Sequence, residues 1–327
     1  MFGIFFYLCF SENGLVDLLI SSRWIGKNWL LFALLSLIAY LTLDVFLIYL
    51  LSNGNSNHKY SFKDSIKTSF VGHFFSAITP SATGGQAVQV FVMSRYGIHA
   101  ATAISILVQK FLVFQIVATM YSATSMLIET DFLNNKIDKT AWFFVILGVL
   151  VQAFIIIAIL IFSFCRKFTK TIIESVIRFL GKIKIIKKSE KKIEKLENKL
   201  LLFYEGNKKL FKNKPLLLAT YLLTFLQLAC FFIVPYFVYR SFYFKDVGFL
   251  KIICIASLVH ASSYLLPTPG STGVAEAAGY ALFSPLFSDN TIKPALLIFR
   301  LITYYLIILI SFPFSRLAKK KERKNAN

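Results

Sequence analysis

Five long apolar stretches constrain the fold of this chain more than any other feature of its sequence. Each is long enough for a helix that crosses the hydrocarbon core of a bilayer, which needs about 20 residues. They cover roughly residues 29–51, 100–128, 141–164, 216–240 and 293–315. The chain is 57% hydrophobic and 16% charged, whereas a soluble domain is about 25% charged. The sequence therefore predicts an all-α polytopic membrane protein.

Two further apolar stretches, at 66–94 and 249–288, are interrupted near their centres. The first contains FVGHFFSAITPSATGGQAVQVFVM and the second SLVHASSYLLPTPGSTGVAEAAGYALF. Each has two short apolar arms joined by a knot of Pro, Gly, Ser and Thr, and Pro80 or Pro267 with its glycines would stop a continuous helix. Two kinked full spans are one interpretation. We favour two re-entrant broken-helix hairpins, because they fit the distribution of charge better.

The net charge of +20 is concentrated in two segments beside apolar stretches. Residues 166–214 carry 16 Lys and Arg against 5 Asp and Glu, and residues 316–327 carry 6 against 1. Basic segments next to spans are typical of the cytoplasmic face and of contact with anionic lipid head groups, which argues against nucleic acid as a partner. Helical spacing of apolar residues in 166–214 predicts an amphipathic connector.

With both basic segments on one side, the two hairpins enter the membrane from opposite faces. A span, a hairpin and a span then form a unit that occurs twice in inverted orientation, and His73 and His260 each lie seven residues before a knot proline. Such inverted repeats with broken helices are found in many transporters.

The predicted parts are an N-terminal stub (1–28), a first repeat (29–128), an extra span (129–165), the connector (166–214), a second repeat (215–315) and a basic tail (316–327). The stub is either an interfacial segment or the end of a first helix that begins upstream. We expect the last span to begin at Pro294, because proline favours the first helical turn.

Four ionisable residues fall inside apolar stretches, where each costs roughly 2.5–3.5 kcal/mol on the insertion scale. They are Asp44, Lys110, Glu276 and Arg300. Opposite signs occur within each half, so we expect Asp44 to pair with Lys110 and Glu276 with Arg300. These pairs could fix the register of the helices. Alternatively, Arg300 and Lys110 could bind a lipid phosphate, which suits the planar guanidinium of arginine.

The knots are the best pointer to a substrate site in a chain of this kind. Their hydroxyl and amide groups could either pair the backbone groups that a helix break frees or bind a ligand, and a helix restarting after Gly84–Gly85 or after Gly273 would direct its positive end at a phosphate. His73 and His260 are either packed core histidines or members of a proton relay. The candidates for lipid binding are Thr79, Pro80, Ser81, Thr83, Gly84, Gly85, Gln86, Arg95, Lys110, Pro267, Thr268, Pro269, Gly270, Gly273, Glu276 and Arg300, with Asp44, His73 and His260 as candidates for ion pairs or proton transfer.

Two motifs resemble those of a known family. ITPSATGGQAVQVFVMSRYGI and PTPGSTGVAEAAGYALF, the latter followed by LLIFRLITYYLIILIS, are similar to the paired motifs of the lysylphosphatidylglycerol synthase transmembrane family. That domain is the flippase portion of multiple peptide resistance factor proteins. The resemblance covers roughly residues 25–315 and implies a bacterial inner-membrane protein that moves polar lipids and is linked to antibiotic resistance.

The functional hypotheses follow from the same resemblance. Full-length synthases carry a soluble aminoacyl-transferase domain after the membrane part, whereas here the short basic tail, 316–327, follows the last predicted span. We therefore expect a flippase-like protein that handles phosphatidylglycerol-type lipid, aminoacylated or not, or polyprenyl-phosphate lipid, with no catalytic residues, cofactor or metal. The alternatives are a phosphatidylglycerol lysyltransferase, as the family name suggests, and a membrane scaffold for a separately encoded transferase.

Overall fold

The computed structural model describes residues 25–55, 59–182 and 189–318. Within these ranges the chain is helical, apart from turns and one isolated antiparallel bridge between Pro80 and Pro269. The prediction of an all-α polytopic membrane protein is therefore confirmed. Most of the predicted N-terminal stub and most of the basic tail lie outside the described residues.

Among the described residues, five helical segments are long and apolar enough to cross a membrane: Lys27–Gly54, Ala100–Ile128, Lys139–Phe164, Lys214–Ser241 and Asp289–Ala318. They correspond to the five apolar stretches of the sequence. In chain order the α-helices are α1 Lys27–Asn55, α2 Phe62–Ile78, α3 Thr83–Arg95, α4 Ala100–Ile128, α5 Thr130–Lys136, α6 Lys139–Phe164, α7 Arg166–Lys182, α8 Ser189–Lys212, α9 Lys214–Phe232, α10 Val234–Ser241, α11 Phe249–Ser262, α12 Val274–Phe283, α13 Asp289–Arg300 and α14 Leu306–Ser311. A π-helical turn, Leu301–Tyr305, joins α13 to α14.

The last span does not begin at Pro294, so that expectation is wrong. Helix α13 begins five residues earlier, at Asp289, and Pro294 lies inside it. A proline at this position leaves only the carbonyl of Asn290 without its helical partner. That carbonyl lies in the first turn of the helix, where Asn290 is exposed, so the helix continues through the proline.

Each broken stretch forms a pair of short helices, as the sequence predicts. In the first hairpin α2 and α3 run antiparallel in close contact, because a Cβ atom on Gly85 would overlap Ser76 and the carbonyl of Gly72. The Gln89 side chain fills the space beside Gly72 and donates to the Thr68 carbonyl at 3.1 Å. Glycine on both helices thus lets the two backbones approach closely.

Contacts at the helix ends show that the two hairpins enter from opposite faces. The open end of the first hairpin packs in one cluster with Leu51 at the end of α1 and Leu216 at the start of α9. We call this side the connector face, because α7 and α8 join α6 to α9 here. On the opposite face Gly26 N–H donates to the Ser241 carbonyl at 2.8 Å, and Lys251 at the start of α11 lies 3.4 Å from Glu129.

The two halves also correspond along the chain. Helices α1 and α9 begin at Lys27 and Lys214, and helices α2 and α11 begin at Phe62 and Phe249, so both pairs are separated by the same interval in sequence. His73 and His260 have this separation too. Because α1 leads towards the connector face and α9 leads away from it, the corresponding helices are inverted.

The connector consists of α7 and α8, which pack against each other, and α8 also packs on α4. Tyr204 OH donates to the Phe162 carbonyl at 3.1 Å, and the Phe203 ring is buried beside Phe162. The connector is therefore attached to the membrane helices through the aromatic face of α8, and exposed basic residues such as Lys208 lie at its surface.

We predict that single cysteines at Asn135 and Asn290 are labelled together by a membrane-impermeant reagent in intact cells. A cysteine at Lys208 should be labelled only after permeabilisation, because it lies on the connector face. All three positions are exposed in the fold, so labelling after permeabilisation controls for reactivity in a background without the four native cysteines. Opposite accessibility of Asn135 and Asn290 would contradict the inverted arrangement.

We predict that Gly148→Ala lowers the melting temperature of the purified protein by several degrees. A Cβ atom there would lie 2.6 Å from the Ala261 carbonyl oxygen and 2.9 Å from Ser262 Cα. Overpacking of this kind costs about 1–3 kcal/mol, more than the roughly 1 kcal/mol that alanine gains over glycine in a helix. Gly248→Ala is the control, since a Cβ atom at Gly248 meets nothing within 4 Å. Equal melting temperatures for the two variants would show that α6 does not pack tightly on α11.

Candidate functional site

The two knots meet inside the molecule. Pro80 and Pro269 form an antiparallel backbone bridge, so the tip of the hairpin from the connector face touches the tip of the hairpin from the opposite face. Tyr304, in the π-helical turn of the last span, donates from its hydroxyl to the Ala77 carbonyl at 3.0 Å. Three broken or irregular segments therefore converge at one place.

Hydroxyl groups pair much of the backbone that the breaks expose. Thr79 Oγ1 donates to the Phe75 carbonyl at 2.6 Å and accepts from Gly84 N–H at 3.0 Å, and Thr83 Oγ1 donates to the Pro80 carbonyl at 3.0 Å. The second knot repeats the device, with Thr268 and Thr272 donating to backbone carbonyls within the turn. For these four threonines the structure favours self-pairing of the knots.

Arg300 lies beside the second knot and forms the expected ion pair with Glu276. Arg300 Nε donates to Glu276 Oε1 at 2.7 Å, and Nη2 donates to the Gly270 carbonyl at 3.1 Å. The other carboxylate oxygen accepts from Gly273 N–H at 2.6 Å and so caps α12. Each charged side chain is 12% exposed. This ion pair thus connects the last span to the middle and to the end of the second knot.

The backbone around Arg300 is specialised. Gly270 has a φ of 61°, and a Cβ atom there would overlap the ring of Tyr304. The Arg300 guanidinium lies 4.8 Å from the centre of that ring, a cation–π contact. The π-helical turn follows directly after Arg300 and contains Tyr304; such turns occur frequently at functional sites.

A second buried cluster surrounds Asp44, which is 4% exposed. Lys110 Nζ lies 2.6 Å from Asp44 Oδ1 and His73 Nε2 lies 3.3 Å from Oδ2. Ser69 Oγ donates to Oδ2 at 2.5 Å and Gln227 Nε2 donates to Oδ1 at 3.1 Å. One carboxylate therefore joins α1, α2, α4 and α9, and so holds the first repeat to the first span of the second.

His260 has a different environment from His73. Its ring packs edge-on against Phe114, Phe231, Phe232 and Tyr264, with centroid distances between 5.4 and 6.3 Å. Its buried Nδ1 has no hydrogen-bond partner among the described residues. In the second half the position that corresponds to Asp44 is Phe231, by the interval that separates the two histidines. The two equivalent histidines thus differ in whether a carboxylate faces them.

The remaining candidates are exposed at the knots, packed between the two helices of the first hairpin, or distant from the knots. Pro80, Ser81, Thr83 and Gln86 are exposed at the tip of the first hairpin, and Pro267 is exposed in the second knot. Gly84 and Gly85 lie inside α3, which begins at Thr83 rather than after the glycine pair as expected. They serve close packing, since a Cβ atom on either would overlap α2 or the side chain of Thr79.

Arg95 is not brought to the knots. It is the last residue of α3, which begins at Thr83, so it lies about 18 Å from the start of that helix at 1.5 Å per residue. Its Nη1 donates to the Leu317 carbonyl at 3.0 Å on the connector face. Lys110 also lies apart from the knots, in the Asp44 cluster.

Three functional candidates were not singled out from the sequence: Ser69, Gln227 and Tyr304. Gln227 could have been found, because it is a polar residue within the apolar run TFLQLACFF. Tyr304 follows Arg300 by four residues and so lies on the same face of a helix. Ser69 gives no such signal, since hydroxyl groups are common in these stretches.

The fold and the intramembrane ion pairs define an all-α polytopic membrane protein with two broken-helix hairpins. By comparison of sequences, the chain belongs to the family described as lysylphosphatidylglycerol synthase TM region, whose model matches residues 2–311. A UPF0104 membrane protein of Archaeoglobus fulgidus is 30% identical over 315 residues, which cover 91% of this chain and 90% of that protein. Another, from Pyrococcus horikoshii, is 25% identical over 271 residues, covering 78% and 77% of the two chains. The family resemblance inferred from the knots is therefore confirmed.

We predict that Asp44→Asn destabilises the protein by about 3–5 kcal/mol, because it leaves the Lys110 ammonium buried without its counter-charge. The double variant Asp44→Asn with Lys110→Met should recover much of this loss in thermal or denaturant unfolding. Asp64→Asn is the matched control: Asp64 pairs with Lys67 at 3.0 Å in a more exposed site, where an ion pair contributes at most about 1 kcal/mol. Equal effects of Asp44→Asn and Asp64→Asn would contradict the assignment of a buried, coupled pair.

Proposed function

We propose that this protein moves anionic or aminoacylated phosphate lipids between the leaflets of a membrane. The lipid is a phosphatidylglycerol type, aminoacylated or not, or a polyprenyl phosphate. The observation that carries the proposal is the meeting of two re-entrant hairpin tips, from opposite faces, beside an intramembrane arginine. This arrangement resembles the mid-membrane substrate sites of transporters with inverted repeats, and the family name supplies the connection with a lipid.

Exposure at the first knot supports a hydrated path through the protein. Residues 80–83 are non-helical or at a helix start, and they are exposed. Irregular backbone at membrane depth is tolerated only where it is buried in protein or lines a water-filled cavity. Exposed knot residues therefore favour a polar cavity at the hairpin tips, where Ser81 and Gln86 would face a passing head group.

Arg300 is the group that would bind the phosphate. It ends α13, which begins at Asp289, so its depth is about 16 Å from the opposite face and near the middle of a core of about 30 Å. Its planar guanidinium can bind two phosphate oxygens at once. A lipid phosphate would replace the Glu276 carboxylate as the partner of the Arg300 guanidinium. The ion pair between Arg300 and Glu276 would form again when the lipid leaves.

The charge distribution supports an orientation with the connector in the cytoplasm. The connector and the start of the first hairpin carry the basic residues, and anionic lipids on the cytoplasmic leaflet attract such segments. The expectation of a bacterial inner membrane stays a prediction, and both relatives compared above are archaeal proteins.

The test is leaflet-resolved transport in vesicles that contain this protein alone. Fluorescent phosphatidylglycerol should move from the inner to the outer leaflet, where an impermeant reductant quenches it, faster than in protein-free vesicles. A scaffold for a separate transferase would leave the rate at the protein-free level. A lysyltransferase would make lysylphosphatidylglycerol from charged tRNA. We expect this product to be absent when the chain is expressed in a host that does not itself contain lysylphosphatidylglycerol.

We predict that the double variant Glu276→Gln with Arg300→Gln is stable but transports at least tenfold more slowly. A neutral pair leaves no uncompensated buried charge, while the loss of a charged phosphate contact costs about 1.5–3 kcal/mol of binding. Arg240→Gln is the matched control, because Arg240 lies against Trp29 and Tyr236 near the opposite face. Wild-type transport by the double variant would remove Arg300 from the lipid path.

A further inference from the structure

Two ion pairs, each without net charge, lie between the described membrane helices. Asp44 pairs with Lys110 and Glu276 pairs with Arg300. An anionic lipid head group that enters between the hairpin tips adds a negative charge to this neutral interior. An unbalanced charge in a medium of low polarity is costly, so a positive charge that enters with the lipid would offset this cost.

His73 is the side chain placed to supply that charge. Histidine changes charge near neutral pH, and His73 Nε2 lies 3.3 Å from the Asp44 carboxylate. Nε2 forms no hydrogen bond among the described residues. With the hydrogen of the neutral ring on Nε2, the nitrogen that faces Asp44, the lone pair is on Nδ1. His73 is 17% exposed, as is Lys110, so neither side chain is fully enclosed by the described residues.

Neighbouring helices present both charged and aromatic groups to His73. Helix α1 contributes Asp44 and Tyr40, whose ring centroid lies 5.9 Å from that of His73. Helix α4 contributes the positive charge of Lys110, which the Asp44 carboxylate between them offsets. Charged residues on the other packed segments are at the connector face: Asp64 and Lys67 pair with each other on α2, and Arg95 on α3 and Arg316 after α14 lie at the open end of the hairpin.

His73 is also connected to the lipid site through the first hairpin. Ala77 is one turn beyond His73 on α2, and its carbonyl accepts the hydrogen bond of Tyr304. The ring of Tyr304 in turn lies against the Arg300 guanidinium. A change of charge at His73 therefore acts on the same helix that forms one wall of the proposed lipid path.

We propose that His73 binds one proton each time an anionic head group enters the site, so that protons and lipid cross the membrane in the same direction. A proton from water adds to the lone pair of Nδ1, and the resulting imidazolium pairs with Asp44 until lipid and proton leave together. This inference rests on the proposed lipid transport. It adds the coupling ion and the residue that carries it.

The structure offers a matched control in the second half. His260 is equivalent to His73 by chain position, but Phe231 stands where Asp44 would be and four aromatic rings surround the imidazole. A protonated His260 would have no carboxylate partner among the groups it contacts. We therefore assign the proton to His73 alone.

The test measures proton uptake by the full chain in detergent and weak buffer at pH 7.5. Addition of short-chain phosphatidylglycerol should take up about one proton per bound lipid, as expected for one titrating imidazole, whereas phosphatidylcholine, which has no net charge, should take up none. His73→Gln should bind the lipid with loss of this uptake, while His260→Gln should retain it. Binding of phosphatidylglycerol is measured separately, by retention of the lipid on the immobilised protein.

Each outcome decides between the two proposals. Lipid binding without proton uptake in the wild type, or unchanged uptake in His73→Gln, overturns the coupling and leaves lipid transport intact. Failure of the wild type to bind either phosphatidylglycerol or a polyprenyl phosphate, the lipids proposed above, overturns both. If His73→Gln does not fold, a pH gradient across vesicles of the wild type decides instead. Coupling requires labelled phosphatidylglycerol to accumulate in the leaflet that faces the alkaline side, and an unchanged distribution contradicts it.

Discussion

The pairing of backbone groups at two helix breaks inside the membrane is the constraint on which the rest of this structure depends. Each break frees N–H and C=O groups that cannot be left unpaired in hydrocarbon. Thr79 and Thr272 pair some of them within the knots, and the bridge between Pro80 and Pro269 brings the two breaks together. Tyr304 of the second half also donates to the Ala77 carbonyl beside the first break, so the first knot depends on a contact from the other repeat.

The buried charges follow from the same arrangement. Arg300 donates to the Gly270 carbonyl and Glu276 accepts from Gly273 N–H, so this ion pair also pairs backbone at the second knot. The Asp44 cluster instead joins helices of both halves, with Gln227 as the contribution from α9. A buried ion pair is weak evidence for stability by itself. Here each carboxylate also accepts a hydrogen bond from a group outside the ion pair, Gly273 N–H for Glu276 and Gln227 Nε2 for Asp44.

Much of the fold could be predicted from the sequence, because hydrophobic length and the Pro–Gly interruptions are local signals. The two ion pairs could be predicted as well, since each isolated intramembrane charge requires a partner and each half offers one of opposite sign. The meeting of Pro80 with Pro269 could not, because it depends on how two hairpins pack in three dimensions. For the same reason no local pattern indicated that Arg95 donates to the Leu317 carbonyl.

The two halves share helix starts at the same sequence interval but differ in their charges, and this difference matters for mechanism. Helices α1 and α9 start at the same sequence separation as α2 and α11, yet Asp44 in one half corresponds to Phe231 in the other. A symmetric pair of scaffolds can present a site to either face by equivalent rearrangements. If His260 also faced a carboxylate, a proton could bind in the second half as well, independently of the lipid site. Aromatic rings surround His260 instead. The positive charge that could accompany a lipid is therefore confined to the first half, whose hairpin accepts the Tyr304 hydrogen bond at the Ala77 carbonyl.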